Sequence, residues 1–183
     1  MTVIAAVVEG DRAYMAADRL VAWGMVCANG KAKICRMGSA LVGLSGGTLY
    51  WAHLRHAAVL FEPRDGLTEA LVEDWLQGLV DGLRAWAEAR GHGATEGRAK
   101  VHDTYGLVAT PVGLWEFSCD GSYTRVPASG WAQGCGAELA LGALYATRGR
   151  PPAERVRIAC EAAVAHSTGC GGPLDLLQLL PDE

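Results

Sequence analysis

No apolar run in this sequence reaches the ~20 residues that a membrane span needs. Charge or glycine interrupts every long hydrophobic stretch first. The opening residues lack the basic region and cleavage site of a secretory signal, so a cytoplasmic protein is expected. Blocks of one charge sign are missing too: Lys and Arg total 16, Asp and Glu total 20, and the net charge is −4. Without a basic cluster there is no electrostatic footprint for nucleic acid, and neither nucleic acid nor membrane is an expected partner. The six cysteines, at positions 27, 35, 119, 135, 160 and 170, include no C-x-x-C pair. A chain of 183 residues is large enough to fold without staples, so free thiols are expected. His53 and His56 stand three apart in an apolar segment, but no carboxylate or cysteine nearby completes a ligand set, so no metal is expected. No internal repeat or low-complexity linker divides the chain.

What is present is a chain that is 50% hydrophobic, which suits a single domain over residues 1–183. Thr2 to Val8 form a continuous β-branched and apolar run. Glu9-Gly10-Asp11 is a turn signal, and Arg12 to Ala17 is apolar again, so a buried hairpin is expected. Its first strand is hydrophobic on both faces, as a strand is when a helical layer covers one side and a second sheet the other. Lys33 to Met37 and Ala40 to Ser45 read as a second hairpin through Gly38-Ser39, and Gly46-Gly47-Thr48 breaks the strand before a helix. From Thr68, apolar residues at 72, 75, 76, 79, 80, 83, 86 and 87 predict a long amphipathic helix. Thr68 is its N-cap and Gly91 its αL stop. Residues 91–100 read as a polar loop. Strands follow at Leu107 to Ala109 and Leu114 to Ser118, with Asp120-Gly121 as the next turn. Helices are expected over Ala137 to Tyr145 and from Pro152, then a last strand over residues 173–179. This order describes two face-to-face sheets with a helical layer outside each.

In order and spacing, four features resemble the proteasome β-subunits and the bacterial proteasome-like peptidase of the heat-shock locus. They are Thr2 at the head of the first strand, Ala17-Asp18-Arg19 after the second, Lys33-Ile34 opening the third, and Ser45-Gly46-Gly47-Thr48 after the fourth. "GCGAELALGAL" and "CGGPLDLLQL" fall where that family carries glycine-serine-glycine and serine-glycine-glycine. The resemblance covers most of the chain. It implies an α+β, four-layer αββα sandwich of two mainly antiparallel sheets, the N-terminal nucleophile hydrolase fold.

The resemblance also implies a threonine-type, self-compartmentalised peptidase whose nucleophile is Thr2, exposed by removal of Met1. A threonine hydroxyl is a weak nucleophile and needs a base, and an α-amino group with an ordinary pKa near 7.7–8.0 suits that task. One residue then supplies both groups. Lys33 places positive charge beside the amine and hydroxyl, and Asp18 orients that lysine. The amide of Gly46 is the implied oxyanion donor, and Cys135 stands where the family has a helper serine. Leu44, Gly47, Thr48 and Ala52 are the implied substrate-binding residues. Cys170 and Ser167 also depart from the family, standing in place of a serine and an aspartate, and a thiol hydrogen-bonds more weakly than a hydroxyl. Tyr50 and Trp51 are core or subunit contacts. The implied partners are a peptide or unfolded-protein substrate and further copies in a homo-oligomeric ring. With no nucleotide-binding motif in the chain, ATP-driven unfolding needs a separate ATPase unfoldase. No cofactor is expected. The rivals are a catalytically silent assembly protein of the same fold and a small-molecule amide hydrolase.

Overall fold

A computed structural model describes residues 1–23, 26–30, 32–57, 67–96 and 99–180. The first apolar run is β1 (Ile4–Glu9), which turns into β2 (Arg12–Asp18). A short hairpin, β3 (Leu20–Trp23) and β4 (Val26–Asn29), precedes a second one, β5 (Ile34–Met37) and β6 (Ala40–Gly46). Two helices follow, α1 (Thr48–Ala57) and α2 (Glu69–Glu88). Next come β7 (Ala94–Glu96), β8 (Ala99–Val101), β9 (Thr104–Thr110) and β10 (Gly113–Phe117). They lead into β11 (Tyr123–Val126) and β12 (Trp131–Gln133). The chain ends with α3 (Ala137–Ala146), α4 (Pro152–His166) and β13 (Leu174–Leu179).

Two antiparallel sheets carry the fold, in the orders β12-β1-β2-β13 and β11-β10-β9-β6-β5. The alternation of β1 explains why it is apolar on both faces. Val3, Ala5 and Val7 pack toward α3 and α4 with Leu144, Val156, Ala159 and Ala163. Ile4 and Ala6 point the other way, into the layer between the sheets, with Met15, Leu41, Leu107 and Leu114. The frequent alanines let a helix and a sheet approach closely on this side. On the far side, Val72, Leu76, Leu79, Val80 and Leu83 of α2 bury against Val42, Val108 and Trp115. Each such large apolar side chain contributes about 1.5–3 kcal/mol on burial.

The ends of α2 follow from its sequence. The Thr68 hydroxyl accepts the Leu71 amide. At the other end the His92 and Gly91 amides donate to Ala87 and Glu88, a Schellman pair that stops the helix at the expected glycine. The expected loop over 91–100 is corrected by the structure, because β7 and β8 pair there as a hairpin. The β3–β4 hairpin and strands β11 and β12 are likewise absent from the sequence expectation; each has three or four residues, too few to show a period.

The five cysteines whose side chains are described are free thiols. His53 is half-buried and stacked on Trp86 at 4.3 Å, while the His56 side chain lies outside the described residues. Among the described residues no group of three metal-ligating side chains occurs, and no helix is long and apolar enough to cross a membrane.

Candidate active site

Thr2 enters β1 with only 4% of its surface exposed. Asp18 ends β2 beside it and is fully buried. Its Oδ1 accepts the Lys33 Nζ at 2.7 Å and the Val3 amide at 2.9 Å. Its Oδ2 accepts the amides of Leu20 at 3.2 Å and Gly171 at 3.1 Å. All four lone-pair sites of the carboxylate are therefore engaged, which offsets the cost of burying it. The one carboxylate ties together the start of β1, the start of β3, the lysine before β5 and the turn before β13. Lys33, itself buried, also donates to the Met1 carbonyl at 3.0 Å, and the Thr2 hydroxyl donates to that same oxygen. Ammonium and hydroxyl thus converge on one point.

The other flank of Thr2 is made of sulfur. Its amide donates to Cys135 Sγ at 3.2 Å, in the turn between β12 and α3. The Cys135 thiol also lies 3.3 Å from the Gly169 carbonyl and 3.9 Å from Cys170 Sγ. Burial, reinforced by Cys135, pushes the Cys170 thiol up to about 12. The Thr2 carbonyl accepts the Gly136 amide at 3.2 Å, which docks the head of α3 onto β1.

A cleft of about 330 Å³ opens over this cluster, and Met1, Thr2, Gly46 and Cys135 border it together with Ser45, Tyr105, Gln133 and Gly134. Gly46 ends β6 with φ 101°, a conformation that favours glycine, and a β-carbon there would collide with the Asp103 carbonyl. Its neighbour Gly47 donates its amide to that carbonyl at 2.7 Å, pinning the β6–α1 turn. Tyr50 belongs to the core: it is buried under α2, and its hydroxyl lies 3.1 Å from His102 Nδ1. Trp51 packs half-buried against the same layer.

The structure therefore brings Thr2, Asp18, Lys33, Gly46 and Cys135 together. Leu44 is corrected. It is buried in the layer between the second sheet and the α1–α2 helices, and Ser45, one residue on, faces the cleft instead. The reason is strand alternation: Leu41, Gly43 and Ser45 share the face toward β1, while Val42 and Leu44 share the opposite face. Gly47, Thr48 and Ala52 are also not among the residues that border the cleft. Residues not anticipated are Ser45, its cross-strand partner Tyr105, and Gln133, which pairs with Ile4 on β1. The alternation within residues 40–46 pointed to Ser45, whereas Tyr105 and Gln133 carry no local signal, because only sheet topology delivers them.

No protein-family model and no curated protein matches the chain. Solved structures do. BPH from Thiobacillus denitrificans superposes with a TM-score of 0.79 at 22% identity, covering 98% of this chain and 100% of that one. The same protein in complex with epoxomicin gives 0.76 at 20% identity, covering 99% and 100%. The chain has the proteasome-like N-terminal nucleophile hydrolase fold. Eukaryotic HslV from Trypanosoma brucei shares it with a TM-score of 0.74 at 18% identity, over 96% of this chain and 98% of that one. Each superposition extends over almost the whole length of both chains.

Proposed function

We propose that the chain is a proteasome-type threonine peptidase that hydrolyses peptide bonds through Thr2 once Met1 has been removed. The observation that carries this is the convergence of the Lys33 ammonium and the Thr2 hydroxyl on one oxygen at the floor of an open cleft. With Met1 gone, the Thr2 nitrogen becomes a free amine beside Cys135 Sγ, and the two donors that shared the Met1 carbonyl face each other. The amine takes the hydroxyl proton as Oγ1 attacks the peptide carbonyl, and it returns that proton to the departing amine. The ester left on Thr2 is then hydrolysed by water. Lys33 holds positive charge beside these atoms, Asp18 fixes Lys33, and the Gly46 amide meets the oxyanion, an interaction worth about 2.7–4 kcal/mol. Cys135 positions the amine. Ser45, Tyr105 and Gln133 form the first walls that a substrate side chain meets. Gly47 holds the β6–α1 turn through the Asp103 carbonyl, and Leu44 packs beneath the strand end.

The epoxomicin complex of the Thiobacillus protein supports this reading, because an inhibitor-binding relative shares the fold across nearly its full length. A homo-oligomeric ring, peptide or unfolded-protein substrates, a cytoplasmic setting and a separate ATPase unfoldase complete the proposal. The test is hydrolysis of a mixed peptide library by the purified chain, shown by intact mass to lack Met1, beside its Thr2→Ala variant. Cleavage by the parent and background cleavage by an assembled Thr2→Ala variant are expected; equal cleavage by both overturns the assignment. A silent assembly protein is the second reading, favoured by thiols at 135 and 170. Absence of cleavage by assembled, Met1-free protein selects it.

A further inference from the structure

Cys135 and Cys170 sit on two turns, one before α3 and one before β13, and glycine lets these turns approach closely. A β-carbon on Gly136 would lie 2.6 Å from Cys170 Sγ, and one on Gly169 would lie 2.6 Å from Cys135 Sγ. Each thiol therefore rests on the glycine next to the other cysteine. The sulfurs are 3.9 Å apart, against about 2.0 Å in a disulfide, so a closure of about 2 Å joins them. Cys135 is exposed and borders the cleft, whereas Cys170 is 6% exposed. The same Cys135 sulfur accepts the Thr2 amide.

We propose that Cys135 and Cys170 are a reversible modification site, at which a hydroperoxide forms a disulfide that draws Cys135 away from Thr2. The Cys135 thiol gives up its proton as its sulfur attacks one peroxide oxygen; the O–O bond breaks, a sulfenic acid forms, and the departing oxygen takes that proton to leave as water or an alcohol. The Cys170 sulfur then attacks that sulfenic sulfur; the S–S bond forms and the hydroxyl leaves as water with the Cys170 proton. Two thiols are oxidised and one peroxide is reduced. Cys135, exposed at the cleft, meets the oxidant before the buried Cys170 does, and burial also holds the Cys170 thiol in its protonated form. The crosslink stands independently of the peptidase reading, and only its effect on activity rests on it.

The test treats the reduced full chain with stoichiometric hydrogen peroxide, blocks remaining thiols with an alkylating agent, and maps the peptides. Cys135 joined to Cys170, and released by dithiothreitol, is expected. Alkylation of both, sulfinic acid at Cys135 without a crosslink, or a crosslink to another cysteine overturns the proposal. In Cys170→Ser the crosslink disappears and dimedone traps a sulfenic acid at Cys135; no trapped sulfenic acid overturns the order of steps. Cys135→Ser supplies a second check if the buried substitution impairs folding, since Cys170 should then survive the same peroxide dose, and its oxidation contradicts the scheme. Peptide hydrolysis should fall by about tenfold or more in the crosslinked protein and recover on reduction. A crosslinked chain as active as the reduced one overturns the control of Thr2. Hydrolysis absent in both states counts against the peptidase reading alone, because the peptide map still decides the site.

Discussion

Thr2 stands between two unlike neighbourhoods. On the Asp18–Lys33 side every bond to Asp18 runs between 2.7 and 3.2 Å, both charged groups are buried, and one carboxylate gathers four segments of chain. On the Cys135–Cys170 side the contacts are sulfur-mediated and span 3.2 to 3.9 Å. Charge-assisted hydrogen bonds are short and strong, whereas a thiol is a weak donor and a weak acceptor. The contrast assigns different work to the two flanks. The ionic flank fixes the chain around Thr2, and the sulfur flank holds the Thr2 nitrogen less firmly.

The largest effect is expected from the ionic flank. Lys33→Ala should lower peptide hydrolysis on the order of 10²-fold or more while assembly persists. A variant with near-parental rates would assign the role to another lysine; Lys31, next in sequence, lies outside the described residues. Asp18→Asn leaves the buried Lys33 ammonium without its counter-charge, and chemical denaturation should report a loss of about 3–5 kcal/mol. A loss below about 1 kcal/mol, the scale of an exposed pair, would contradict the claim that this flank is a rigid buried centre.

On the sulfur flank the changes are smaller. Cys135→Ser supplies a stronger hydrogen-bonding group at the Thr2 nitrogen, and steady-state kinetics should show a rise in kcat of up to about tenfold. A fall would mean that the sulfur itself is required. Burial, with Cys135 second, raises the Cys170 thiol from 9.0 to about 12, and burial, with Asp18 second, raises Cys160 as well. Because the folded-state values are raised, their stabilising contribution is complete below pH 9.0 and declines as pH climbs toward about 12. Unfolding curves across that window should fall by about 1.4 kcal/mol per pH unit for each thiol, and Cys170→Ser should flatten the slope.

The two flanks also differ in how far they could be read from the sequence. Thr2, Asp18 and Lys33 lie at the ends of apolar runs, and strand pairing must gather such ends: Ile4 faces Ala17 across the first hairpin, and Lys33 leads directly into β5. The amphipathic period of α2 and its Thr68 and Gly91 boundaries were equally local. Leu44 lies away from the cleft because a strand has two faces, and this apolar residue sits on the helix-covered one. The proximity of Cys135 to Cys170 depends on two turns 35 residues apart being docked onto β1 and β2. Tyr105 and Gln133 reach the cleft only through the pairing of β6 with β9 and of β1 with β12. Contacts of that kind are written in topology, which no short window contains.

The measurement that tests the central claim most directly is intact mass and peptide mapping of the purified chain before and after exposure to an epoxyketone such as epoxomicin. Loss of Met1, followed by a single adduct on Thr2 that Lys33→Ala abolishes, is the predicted result. A Met1-free protein whose Thr2 never reacts, or an adduct that forms elsewhere, would contradict it.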